Sequence, residues 1–243
     1  MAKLVQKSGY IKSGKASGYM RYIATREGVE KLAGNGAVTK GQRELIQKLL
    51  TDFPDAVELF EYEDYCKTPT LGTASAFISM ALDANLHEID SESGYMQYIA
   101  TRPRVQKRGT HGLFSSATAV DLASAMSELE AHEGNVWTII YSLRREDAAR
   151  LEYDNADAWR TLLMENAPAL AKSMKISLDN FHWYAAFHNE GHHPHIHMMV
   201  WSDDPKEGFL TKGGIAAIRS KLTNAIFRDE MQQIYERKDV AYS

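Results

Sequence analysis

The sequence predicts an α+β protein, an antiparallel central sheet with helices packed on it, and three observations carry that expectation. Asn135–Leu143 (NVWTIIYSL) is β-rich and nearly unbroken, the pattern of a central buried strand. Phe181–Trp201 (FHWYAAFHNEGHHPHIHMMVW) divides around a turn-like NEGHH into two β-prone runs, the simplest structure for which is an antiparallel hairpin. Elsewhere, apolar residues recur at helical spacing, so the predicted order is β, α, inserted helices, α, β, α, α, β, β, α. A chain of 243 residues can bury a full core in one large domain or two small ones.

In chain order, Lys3–Ile11 reads as the first strand, and the Ser/Gly-rich bend after it leads into a helix over 18–32. Thr39 with Gln42 forms a capping box for a helix over 40–53, which Pro54 interrupts. The acidic segment 55–65 and residues 73–85 read as helical too, so 34–90 is expected as a helical insertion within a single domain, 1–243. Gly109–Phe114 reads as a turn and Ala119–His132 as an amphipathic helix. After the strand at 135–143 come helices reaching Arg150 and over 159–173, then the hairpin, a loop at 202–208, and a last helix over 212–237.

Composition is ordinary for a globular protein, 44% hydrophobic and 25% charged. The single cysteine, Cys66, excludes a disulfide framework and suggests a reducing compartment. The N-terminus carries no secretory pattern and no apolar run approaches membrane-spanning length, so a soluble, cytoplasmic protein without a membrane segment is expected. A net charge of −4 argues against nucleic acid as a partner. The charge is uneven, however: residues 1–31 hold seven lysines and arginines against two glutamates, Arg102, Arg104, Lys107 and Arg108 form a second basic run, and acid collects in Asp52–Asp64. A local basic face can bind phosphates within an acidic whole.

An internal repeat stands out. Ser17–Arg26 (SGYMRYIATR) recurs as Ser93–Arg102 (SGYMQYIATR) with nine of ten positions identical. On a helix, Tyr19, Tyr22, Ile23 and Arg26 share one face, as do Tyr95, Tyr98, Ile99 and Arg102. The pattern admits core packing, or a nucleophilic phenol near a metal with arginine gripping phosphate through its bidentate fork.

Side chains alternate along a strand, so His195 and His197 share one face while Ile196, Met198 and Val200 take the other. His188 ends the partner run within cross-strand reach. Three converging imidazoles suit a divalent cation and leave coordination positions open. His192 and His193 fall in the turn, where residues are usually solvated. A zinc-protease HExxH is absent and a deaminase PCxxC is impossible with one cysteine. His193-Pro-His195-Ile-His197 also matches the His-x-His-x-His of histidine-triad nucleotide hydrolases or transferases, which need no metal and would not require His188.

An early strand, a helix bearing Tyr22-Ile-Ala-Thr-Arg26, and His188 followed downstream by Pro194-His195-Ile-His197 together resemble the MobP-type conjugative relaxases of the HUH endonuclease superfamily. The likeness spans most of the chain in order. It implies a relaxase fold, with His188, His195 and His197 as ligands of a divalent ion (manganese or magnesium, with zinc, cobalt or nickel compatible) and Tyr22 as nucleophile. Tyr98 of the second copy is the alternative nucleophile, with Tyr19 or Tyr95 as the remaining choices, and Glu190 would support a ligand. The implied activity is site- and strand-specific DNA nicking and rejoining through a 5′-phosphotyrosine, on single-stranded or hairpin DNA at a plasmid's or integrative element's transfer origin. Accessory mobilisation proteins and a coupling protein are the implied partners. Arg26 and Arg102 would hold phosphates, and Trp201, last on the His face, would stack a base. Rolling-circle replication initiators share this chemistry, and a non-catalytic DNA-binding module with a structural metal is a further alternative. Such relaxases usually carry more C-terminal sequence, so a truncated catalytic domain is also expected.

Overall fold

The computed structural model describes residues 3–10, 36–85, 92–101, 105–191 and 193–228. The expected helix over 18–32, with Tyr22 and Arg26, lies outside these residues, as do Arg102 and the end of the last helix. Five strands, β1 (Val5–Tyr10), β2 (Leu113–Phe114), β3 (Trp137–Ser142), β4 (Phe181–His188) and β5 (His195–Ser202), form one antiparallel sheet in the order β1-β3-β5-β4-β2.

The strand expected at 135–143 is β3, an interior strand paired with β1 on one side and β5 on the other, and β5, all of whose residues are buried, is the middle one. One expectation is corrected. The segment expected as a turn ends in β2, which pairs Leu113–Phe114 with Ala185–Ala186. Two residues are too short to show a period of two, so nothing in the sequence marks this strand.

Eight helices are described: α1 (Lys40–Asp52), α2 (Phe60–Lys67), α3 (Leu71–Ala84), α4 (Glu92–Thr101), α5 (Leu122–Glu130), α6 (Arg145–Arg150), α7 (Ala156–Ser173) and α8 (Lys212–Ile226). The capping box at Thr39 and Gln42 forms as expected, with both reciprocal bonds at the N-terminus of α1. Thr70 and Thr73 do the same for α3. The acidic segment is not one helix: Pro54–Glu58 is a 3-10 turn, and α2 begins only at Phe60.

Alternation along the strands separates two cores. Ile196, Met198 and Val200 join Ile139, Tyr141 and Phe187 in a cluster with Trp159 and Leu163 of α7 and Ile218 and Leu222 of α8. On the other face Ile140, Ala186, Met199 and Trp201 pack with Leu49 of α1, Phe77 and Ile78 of α3, Tyr95 and Ile99 of α4, and Leu129 of α5. The helices between 40 and 130 therefore roof the face on which the histidines stand. Among the described residues no helix is long and apolar enough to cross a membrane.

Candidate metal centre and its surroundings

The hairpin register places His188 directly opposite His195 and Ala186 opposite His197, so all three rings rise from the roofed face. His188 and His197 are 0% exposed and His195 is 1% exposed. Their ring centroids stand 5.1 Å (His188–His195), 4.6 Å (His188–His197) and 5.1 Å (His195–His197) apart. One ligand nitrogen from each ring lies within 4.8 Å of the other two, and among the described residues this is the group that could hold a metal ion.

The second nitrogen of each ring is tied down. His188 Nε2 donates to the Ile99 carbonyl (2.9 Å) and His195 Nδ1 to the His193 carbonyl (3.0 Å). A carbonyl can only accept, so these contacts set both tautomers and make His188 Nδ1 and His195 Nε2 the candidate ligand atoms. His197 Nδ1 lies 3.0 Å from the Tyr95 hydroxyl, which makes Nε2 its candidate. A metal-binding histidine usually has its outer nitrogen held in this way. The donor set fits a divalent cation.

Tyr95 and Tyr98 share a face of α4 as the repeat predicts, but they reach different partners. Tyr95, 0% exposed, approaches His197 with its ring edge-on. The Tyr98 hydroxyl donates instead to Asp83 Oδ1 of α3 (2.8 Å). The sequence ranked Tyr98 ahead of Tyr95 in this copy, and Tyr95 is the phenol beside the histidines. Helical spacing put both on the right face; it could not say which of two rings one turn apart would reach the sheet.

Glu190 lies in the hairpin turn, its N–H bonded to the His188 carbonyl (3.0 Å). Arg145, at the start of α6, clasps that turn through the Gly191 carbonyl (3.2 Å), Asn189 Oδ1 (2.7 Å) and the Glu190 carbonyl. His193 is not a solvated turn residue. It is 5% exposed, donates to Asp64 Oδ2 (2.7 Å) and stacks on Phe60 (5.2 Å). Beside His195 in the register, Ser142 is 1% exposed, and its hydroxyl meets no hydrogen-bond partner among the described residues.

Trp201 is 1% exposed, and its ring stacks with those of His182 (5.8 Å) and Tyr184 (5.5 Å). In this arrangement it is a core ring rather than an open stacking surface; His182 and Tyr184 are the partly exposed members of the group. Burial, with Glu128 accepting from its hydroxyl, pushes the Tyr184 phenol up to about 12.

On the roof side, Glu61 of α2 is a buried carboxyl that no motif had marked. Its Oε2 meets no hydrogen-bond donor among the described residues. Burial, reinforced by the charges of Asp64, Asp83 and Glu190, pushes its pKa up to about 8. Asp64 is also raised by burial, but the His193 hydrogen bond and Arg144 outweigh this and hold it below the usual carboxylate range.

Among known proteins, the family model described as MobL relaxases matches residues 1–242. No curated protein and no solved structure matches the chain. The family found is thus MobL, where the motifs had suggested the MobP type. With the match running almost from end to end, the chain belongs to the MobL relaxases, DNA-nicking enzymes of mobilisation.

Proposed function

We propose that this relaxase nicks and rejoins one DNA strand at a transfer origin by tyrosine transesterification, in a reaction that depends on a divalent ion held by His188, His195 and His197. The observation that carries the reading is the convergence of three buried imidazoles whose outer nitrogens are already engaged by Ile99, His193 and Tyr95. The order of motifs, with an early strand, the tyrosine repeat and then the His hairpin, supports placing the chain in the HUH superfamily alongside the MobP type. A divalent ion there would polarise the scissile phosphate's non-bridging oxygens and offset charge in the transition state. Manganese or magnesium is the expected ion, with zinc, cobalt or nickel compatible with imidazole ligands.

Within this reading the attacking group is the Tyr22 phenol. Of the second repeat's phenols, Tyr95 bonds at His197 and Tyr98 donates to Asp83; Tyr22 is preferred because the likeness to the MobP type places the nucleophile in the sequence that follows the first strand. The phenol oxygen bonds to phosphorus, the bond from phosphorus to the 3′-oxygen breaks, and that oxygen leaves as a hydroxyl carrying the proton the phenol lost. The phosphodiester becomes a 5′-phosphotyrosine with its bond energy kept, so rejoining is the same step reversed. Arg26 and Arg102 would hold the flanking phosphates, and Glu190 would steady the turn beside His188. Single-stranded or hairpin DNA is the substrate class, with base stacking at the His182–Tyr184–Trp201 group. Residues 34–90 are read as a helical insertion in one catalytic domain, and accessory mobilisation and coupling proteins as its partners.

Incubation with a single-stranded origin oligonucleotide should give a covalent protein–DNA adduct on denaturing gels. It should require added divalent metal and disappear in Tyr22→Phe. A specific observation favours a second nucleophile: Asp83 accepts the Tyr98 proton and could act as its base. Loss of the adduct in Tyr98→Phe alone would move the assignment there. Phosphoramidate hydrolysis that survives EDTA, without any adduct, would instead favour the histidine-triad chemistry.

A further inference from the structure

The sheet register arranges the roofed face in rows. Val5, Ser142, His195 and His188 stand side by side across β1, β3, β5 and β4. Two residues beyond the ends of β1, β3 and β5 come Lys3, Arg144 and His193. All three converge on α2. Lys3 Nζ lies 5.3 Å and Arg144 Cζ 4.7 Å from the Phe60 ring centre, and the His193 ring stacks on it. Arg144 forks to Glu63 (3.1 Å) and Asp64 (3.2 Å), and His193 donates to Asp64 (2.7 Å).

We propose that Lys3, Arg144 and His193 form the seat for a backbone phosphate next to the scissile one, and that Glu63 and Asp64 fill that seat in the DNA-free protein as phosphate mimics. The inference rests on the nicking reading of the adjacent histidines. A carboxylate and a phosphodiester ask the same of a guanidinium fork. The pairing is wet rather than locked: the Arg144, Glu63 and Asp64 side chains are 25%, 41% and 32% exposed. Pairs of that kind contribute little to stability, so a phosphate can displace them cheaply. Phe60, 1% exposed, keeps the cations organised whichever anion they face. The arrangement also accounts for a DNA enzyme with a net charge of −4 whose acid gathers in Asp52–Asp64: part of that acid sits on the cations that DNA needs.

Single-stranded oligonucleotide binding, followed by fluorescence anisotropy in EDTA across a salt series, tests the seat apart from catalysis. Glu63→Gln/Asp64→Asn should bind about tenfold more tightly, because the self-occupied state no longer dilutes the competent one. Arg144→Gln should bind more weakly and flatten the logarithmic salt slope by about 0.7, the share of one phosphate contact on a single strand. In the wild-type protein, carbodiimide labelling of Glu63 and Asp64, read by mass spectrometry, should rise when DNA binds. Unchanged or weaker binding by the double variant, or labelling that stays flat or falls, overturns the proposal and leaves the carboxylates as struts for α2. If the binding results hold while no adduct ever forms with metal, the nicking reading fails and the phosphate seat stands.

Discussion

A carboxyl raised to about 8 titrates where most proteins are handled, and Glu61 is such a group, 8% exposed with an oxygen that no donor among the described residues reaches. Between roughly pH 4.5 and pH 8 the folded protein holds a proton at Glu61 that the unfolded chain releases. The unfolded state then binds fewer protons, so stability falls as pH rises through that window, by on the order of a few kcal/mol. Thermal melts in EDTA should show the wild-type midpoint dropping from pH 5 to pH 8.5, and Glu61→Gln should flatten that fall and melt higher at pH 8. A variant that keeps the wild-type slope would assign the dependence to other groups. Nothing in the sequence isolates this residue, because Glu61 stands in an acidic run, Glu-Tyr-Glu-Asp, that reads as a solvated face. Which acid turns inward is decided by how α2 lies on α3 and on the hairpin turn, a tertiary fact. The three histidines were legible for the opposite reason: alternation in a strand is a local rule, and the register across a short turn follows from it.

At the scale of elements, the hairpin shows how far such rules reach. The first predicted run, Phe181–His188, is β4 to the residue, and the second is shifted by one position. What the hairpin needs from outside was not visible. Beyond β4, Val105 bridges to His188 and the Gln106 N–H donates to the Phe187 carbonyl (2.8 Å), so a short bridging segment lines the His188 end of the hairpin. Gly112 presses against that segment. A Cβ there would collide with Val105 Cγ2 and stand 3.1 Å from the Gln106 carbonyl, while the Gly112 N–H is committed to the Ala100 carbonyl (2.8 Å). Gly112→Ala should therefore push the 105–106 segment away from His188. The expected result is about 1–3 kcal/mol lower stability from overpacking, measured by urea denaturation, together with weaker metal binding by calorimetry. Wild-type stability and metal affinity in this variant would show that the edge can yield without moving His188.

The whole molecule joins a sheet whose far face is an ordinary apolar core to a near face that combines core packing with three buried imidazoles. The sequence predicted helices on a sheet but not which face each would cover, since an apolar stripe names no partner. The roof helps to explain how three histidines can be buried together: α4 supplies the Ile99 carbonyl and the Tyr95 hydroxyl to the outer nitrogens of His188 and His197. It also ties the global stability to whatever those rings bind. An ion held only by the folded state stabilises it by about 2.7 kcal/mol when present at a hundred times its dissociation constant. For a chain of this length that is a rise in melting temperature of about 5–10 °C. Scanning fluorimetry with manganese should show such a rise over EDTA in the wild type. It should be absent in His195→Gln/His197→Gln, which lacks two of the three ligands but keeps the polar roof contacts partly intact. A shift of equal size in that double variant would place the stabilising ion elsewhere, and the sheet would then carry its histidines for a different purpose.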